Sequence, residues 1–165
     1  MKIIALMFAA TFGLTSGLIL IAPHARAHCE IPCGIYNDSL RIEMILEDCQ
    51  TIEKSMGQIA ALSTGGDKNY NQLVRWVSNK EDHANKIQHI VTQYFLTQRI
   101  KPGDDATAYQ HKLTLLHGML IEAMKCKQTI DTAHVQKLRQ LAESFKSAYF
   151  GPSAKTQPGH EGHKH

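Results

Sequence analysis

Acidic side chains are missing from the first 27 residues. Lys2 opens that stretch, and Ile3 to Ala22 follow as an apolar run interrupted only by Gly, Thr and Ser. Pro23 breaks any helix, and Ala25-x-Ala27 places small residues where a signal peptidase reads. A basic start, an apolar run and a small-residue end without acids form the pattern of a secretory signal peptide, so residues 1–27 are expected to be removed. An uncleaved anchor is the alternative, because about 20 apolar residues span a bilayer. The Ala25-x-Ala27 end favours the cut, which leaves His28 as the new amino terminus.

Strong charge of one sign is lacking as well. Eighteen Lys and Arg face 15 Asp and Glu, a formal +3 that falls to +1 once Lys2 and Arg26 leave with the leader. Near-neutrality speaks against a nucleic-acid binder, which concentrates basic side chains on one face. It leaves little general steering of an anionic substrate, although local fields can still act. Also absent is any sustained alternation of apolar and polar residues, which excludes strands from the reading. No internal repeat occurs. Residues 28–165 have the length of one domain with a single core.

Only four cysteines are present, Cys29, Cys33, Cys49 and Cys126. In an oxidising compartment two disulfides would be the ordinary expectation. Cys49 and Cys126, however, lie beside apolar helical stripes and read better as buried free thiols than as a bridge.

The helical periodicity is plain. Asp38 and Ser39 can cap a helix start. Behind them Ile42, Ile45, Cys49, Ile52, Met56 and Ile59 recur at spacings of three and four, and Gly65-Gly66 stops the pattern. A second stripe runs Leu73, Val77, Ala84, Ile87, Val91, Tyr94 and Phe95, ending at Lys101-Pro102-Gly103. Asp104 or Asp105 can cap a third helix with Tyr109, Leu113, Leu116, Leu120 and Ala123 on its buried face. The fourth begins near Asp131 and carries Val135, Leu138, Leu141, Phe145 and Tyr149. Short connections favour antiparallel neighbours, so the expected fold is an all-α, up-down four-helix bundle over 38–150. Beyond it, GPSAKTQPGHEGHKH (151–165) has too little apolar surface to order itself and reads as a disordered tail. Its His160, His163 and His165 can hold a metal weakly, as a reservoir or loading aid and not as a catalytic site.

The chemistry concentrates at residues 28–37. HCEIPCGIY sets one histidine and two cysteines within six residues, at no standard zinc-site spacing. Cleavage gives His28 a free α-amine with a pKa near ~8, from which an incoming metal ion easily displaces the proton. That amine, the Cys29 amide nitrogen and the Cys29 thiolate form fused chelate rings held nearly coplanar by the peptide. Cys33, brought back by a turn at Pro32, completes a square. Planar nitrogen and sulfur ligation suits copper(II) or nickel(II) and disfavours tetrahedral zinc. Two thiolates and an anionic amide stabilise a higher oxidation state, and the His28 imidazole can take an axial position. The residues thus describe a one-electron redox centre, or a copper or nickel carrier using the same hook. A helical module with a Cys29–Cys33 disulfide is the remaining alternative.

HCEIPCGIY resembles the nickel hook of nickel superoxide dismutases, whose mature chains begin H-C-x-x-P-C-G-x-Y. The likeness continues through Leu40-Arg41-Ile42-Glu43 and covers residues 28 to about 150. It implies a four-helix bundle, a homohexamer and one nickel ion per subunit. By that resemblance His28 binds nickel through its amine and imidazole, Cys29 through amide nitrogen and sulfur, and Cys33 through sulfur. Pro32 is the cis proline of the hook. Tyr36 stands over the open axial face as a gate, and Glu43 orients the His28 ring. An arginine from a neighbouring subunit is expected too, for which Arg75 and Lys80 are candidates. The implied reaction is dismutation of superoxide to oxygen and hydrogen peroxide, with nickel alternating between Ni(III) and Ni(II). Three positions depart from the family pattern: Asn37 stands where aspartate is usual, Glu43 aligns only by admitting one deleted residue after Tyr36, and Glu30 replaces an acidic residue that is often aspartate, a mild change. Many members carry a short pro-sequence removed in the cytoplasm, whereas this leader reads as an export signal, so a periplasmic or secreted location is expected, with a cytoplasmic one as the alternative if the leader is such a pro-sequence.

Overall fold

The computed structural model describes residues 36–151. The chain divides into two units, Met1–Tyr36 and Asn37–His165, and of the first only Tyr36 is described. The expected leader, the ligands His28, Cys29 and Cys33, the turn at Pro32 and the histidines after Gly151 lie outside the described residues.

Helix α1 (Asp38–Leu62) starts one residue earlier than the expected caps. Asn37 is the cap: its side-chain oxygen accepts from the Leu40 N–H at 3.0 Å and from the Ser39 hydroxyl at 3.2 Å. Asp38 is displaced from that role because its carboxylate is engaged elsewhere, as described below. The stripe from Ile42 to Ile59 is buried throughout, as its spacing predicts. A 3-10 segment (Ser63–Asn69) then turns the chain, and within it Gly66 takes φ 63° and ψ −154°.

Helix α2 (Tyr70–His89) runs directly into a π-helical segment, Ile90–Arg99. The second stripe holds from Ala84 to Phe95, but Val77 is 41% exposed. The start of α2 extends beyond the part of the bundle that covers it, so helical periodicity there continues without a partner. Asp105 caps α3 (Ala106–Gln128), accepting from Ala108 N–H at 2.9 Å. Asp131 caps α4 (Thr132–Phe150), accepting from Ala133 N–H at 2.9 Å. Gly151 ends α4 with φ 81°, a left-handed value that suits glycine.

Cross-helix bonds establish the direction of each neighbour. Between α1 and α4, Glu53 pairs with Arg139, Glu43 with Lys146 and Asp38 with Tyr149. Between α1 and α2, Ser55 pairs with Asn79 and Asp48 with His83. Lys80 and Gln88 reach α3 near Cys126 and Leu120, and Glu122 of α3 meets His134 of α4. Gly118 of α3 also faces Leu141 of α4, so rising numbers on one helix meet falling numbers on the next in every case. The described fold is therefore an antiparallel up-down four-helix bundle, with no strand among the described residues. None of its helices is long and apolar enough to cross a membrane.

The core follows from these stripes. Ile45, Ile52, Ile87, Leu116, Leu138 and Phe145 are fully buried, each contributing about 1.5–3 kcal/mol of apolar transfer. Among the described residues Lys80 is the one buried cation, 3% exposed. Its ammonium donates to the carbonyls of Cys126 at 2.5 Å and Lys127 at 2.7 Å. It thereby satisfies the last turn of α3, where a helix end favours positive charge.

Candidate metal centre

Thiolate ligands are the first requirement of the expected centre, and the bundle decides which cysteines can supply them. Cys49 and Cys126 are free and fully buried. Burial pushes the Cys49 thiol up to about 12 and the Cys126 thiol up to about 11. A thiol that resists ionisation is a poor nucleophile and a poor ligand. These two are core packing, as their stripe positions predict. Among the described residues no group of three His, Cys, Asp or Glu side chains can hold a metal ion. His83 hydrogen-bonds Asp48 at 2.6 Å and His134 hydrogen-bonds Glu122 at 2.8 Å, each a local contact that belongs to no metal-binding group.

The donor chemistry that remains is that of His28, Cys29 and Cys33. An amine, an amide nitrogen and two thiolates fit nickel's preference for planar nitrogen and sulfur ligation. The chain leaves this segment through Tyr36, which is 40% exposed, and enters the bundle at the Asn37 cap. Glu43 sits on the second turn of α1, its side chain 52% exposed, with one carboxylate oxygen paired to the Lys146 ammonium. Of the two cations considered for a neighbouring subunit's role, Lys80 is engaged within its own chain and Arg75 is exposed.

At the point where α1 begins, the fold gathers groups that sequence reasoning did not connect. The Asp38 carboxylate accepts from the Tyr94 hydroxyl at 2.5 Å and from the Tyr149 hydroxyl at 2.7 Å. The Arg99 guanidinium adds a two-toothed contact, Nε at 2.8 Å from Oδ1 and Nη2 at 2.5 Å from Oδ2. This is the strong, planar form of the Arg–carboxylate pair. The Asp38 side chain is only 13% exposed. Burial alone would raise its pKa, but the bonds from Arg99, Tyr94 and Tyr149 and the guanidinium charge hold it below the usual carboxylate value. In turn, burial and the Asp38 carboxylate push the Tyr149 phenol up to about 12 and raise that of Tyr94.

Local structure explains the convergence. In an α-helix, residues five apart lie roughly 140° around the axis from one another. The i→i+5 bonding of Ile90–Arg99, seen in Ile100 N–H to Phe95 C=O at 2.9 Å, winds the chain more widely. Tyr94 and Arg99 thereby reach the same carboxylate. Phe95 anchors them from beneath, edge-on to Phe145 at 4.9 Å and to Tyr149 at 5.7 Å between ring centroids. Arg41 lies over the Tyr94 ring, 5.1 Å from its centroid. The only signal in the sequence was that Tyr94 and Tyr149, assigned to buried stripes, carry hydroxyls that need partners.

Comparison with characterised proteins and with solved structures returned no match. The family model for nickel-containing superoxide dismutase matches residues 23–152. That span opens ahead of the HCEIPC donors and closes just after the last turn of α4, so it takes in both the ligand-rich segment and the entire bundle. With most of its length accounted for in this way, the chain belongs to the nickel-containing superoxide dismutase family.

Proposed function

We propose that this dismutase builds its nickel centre on the hook, with the His28 amine and imidazole, the Cys29 amide nitrogen and thiolate, and the Cys33 thiolate as ligands. The observation that carries this reading is the family match across HCEIPC. It is joined by the burial of both other cysteines, which leaves Cys29 and Cys33 as the thiols able to ionise. Once bound, nickel supplies a one-electron Ni(III)/Ni(II) couple able both to oxidise and to reduce superoxide. The amide and thiolates donate charge that brings this couple within reach of superoxide. Two superoxide ions and two protons then give one oxygen and one hydrogen peroxide.

The remaining roles belong to the chain. Tyr36, next to the cap of α1, restricts access to small anions and holds water from which the peroxide draws protons. Glu43 orients the His28 ring, the role the family pattern gives this carboxylate. Near-neutral overall charge limits long-range attraction, so small size and the gate account for selection of superoxide. Export with removal of residues 1–27 exposes the His28 amine, and the chains assemble as a homohexamer. An acylated His28 has no amine to give, so processing is a condition of activity.

The decisive experiment is amino-terminal sequencing of the active protein together with elemental analysis. A start at His28 with one nickel per chain is expected. Active protein that begins upstream of His28 would overturn the ligand set. Cys33→Ser is expected to lose nickel and superoxide turnover together, and full turnover in that variant would show the thiolate assignment to be wrong. For Tyr36→Phe, nickel is expected to remain while turnover or anion access changes.

A further inference from the structure

A cavity of about 280 Å³ lies where the π-helical segment, the 100–105 connection, the first turns of α3 and the last turn of α4 meet. Its wall carries three cations, Arg99, Lys101 and Lys112, two phenols, Tyr109 and Tyr149, and one carboxylate, Asp105. The Arg99 charge is matched by Asp38, and the Asp105 carboxylate caps α3. Lys101 and Lys112 have no such counterpart, since neither makes an ion pair among the described residues. Lys101 donates to the Thr97 carbonyl at 2.9 Å, which engages one of its three N–H groups. The half-buried Lys112 side chain holds its ammonium 5.7 Å from the centroid of the Tyr149 ring. Two lysines without a carboxylate partner thus line one cavity, at the positive end of a helix.

We propose that this cavity is a binding site for a small tetrahedral oxyanion of the phosphate type, held between the Lys101 and Lys112 ammonium groups with the Tyr109 hydroxyl as a third donor. Charge decides the sign of the ligand. Three cations against Asp105 and Asp38 leave a local excess of one positive charge, which repels a metal ion and attracts an anion. Donor placement decides its kind. An oxyanion presents separate oxygens to a lysine on the connection and a lysine on α3, each making a charge-assisted hydrogen bond, whereas a halide offers a single point. Volume decides its size. At about 30 Å³ per water, the cavity takes phosphate together with several waters. It falls short of the roughly 300–1,000 Å³ pockets that enclose drug-sized ligands, so a nucleotide is too large. Free phosphate and the phosphoryl group of a small monoester share this chemistry. Residues 101–105 are exposed, and Lys112 lies over Tyr149 of the last turn of α4. A bound oxyanion ties the connection to that turn and stabilises this end of the bundle.

The test titrates inorganic phosphate into the purified protein by calorimetry, in a zwitterionic buffer at low ionic strength. Saturable binding of one phosphate per chain is expected, with a rise in the thermal midpoint as phosphate increases. Lys101→Gln and Lys112→Gln are each expected to weaken binding about tenfold while the far-ultraviolet helical signal stays unchanged. Lys54→Gln removes another lysine held over a ring, 5.9 Å from the Trp76 centroid, and is expected to leave binding unchanged. No saturable binding by the unsubstituted protein would overturn the site, and so would full binding in the chain carrying both Lys101→Gln and Lys112→Gln. Equal effectiveness of chloride would reduce the attraction to general counter-ion screening and overturn it as well. A hook variant, Cys29→Ser with Cys33→Ser, is expected to bind phosphate normally; loss of binding there would place the anion at the nickel centre and remove it from this cavity. Methyl phosphate separates the two sources. Binding tighter than that of inorganic phosphate identifies a monoester as the ligand, and weaker binding identifies the free ion.

Discussion

Asp38 illustrates how one side chain changes meaning between sequence and structure. Read locally, an aspartate at a helix start is a cap; in the fold it is the acceptor for two phenols and a guanidinium, while Asn37 does the capping. Its folded pKa lies below the unfolded value near ~3.9. The stability it contributes is therefore whole above that value and is lost as pH falls through the folded pKa. Asp38→Asn is expected to cost about 2–3 kcal/mol at neutral pH, because Arg99 is left with a neutral partner. It is also expected to flatten the loss of stability as pH falls below about 4, a difference read by chemical denaturation at several pH values. Cysteine chemistry provides a second test. With both core thiols buried and hard to ionise, alkylation of the native, metal-free protein is expected at Cys29 and Cys33 alone. Cys49 and Cys126 become reactive only on unfolding, which peptide mapping of the labelled chain would check.

Helices and their connections show the same contrast. The α1 stripe, the caps of α3 and α4 and the stop at Gly65-Gly66 were all legible, because each depends on residues within a turn or two of one another. Gly66 and Gly57 separate two reasons for using glycine. At Gly66, φ 63° with ψ −154° is a region that side chains avoid, so Gly66→Ala is expected to destabilise by about 1–3 kcal/mol. Gly57 lies within α1 with nothing within 4 Å of an added methyl, so Gly57→Ala is expected to stabilise by about 0.5–1 kcal/mol. Thermal melts of the two variants should shift in opposite directions. The π-helical segment was not legible. Its residues fit an ordinary helical stripe, and the wider winding becomes favourable only once Tyr94 and Arg99 have Asp38 to meet.

For the molecule as a whole, a described core that closes without metal governs what should survive without nickel. The described core closes through apolar packing of four helices, and no metal cluster lies within it. Removal of nickel by a strong chelator is therefore expected to abolish superoxide turnover while leaving the far-ultraviolet helical signal unchanged. This differs from a zinc finger, whose folding depends on its metal. Collapse of the helical signal on chelation would show that the hook supports the bundle.

Features confined to neighbours in the chain were readable from residue order: the likeness that points to nickel, four amphipathic helices, and the caps of α3 and α4. Donors that chelate through consecutive peptide units need no distant partner to be recognised, and neither does a 3.6-residue stripe. Tyr149 meeting Asp38 across 111 residues is of another kind, as is the loss of cover over Val77. Both depend on which helix faces which and on how far each one extends. Only assembly of the bundle selects among the many pairings the same side chains allow, because burial and hydrogen bonding are satisfied together in just that arrangement.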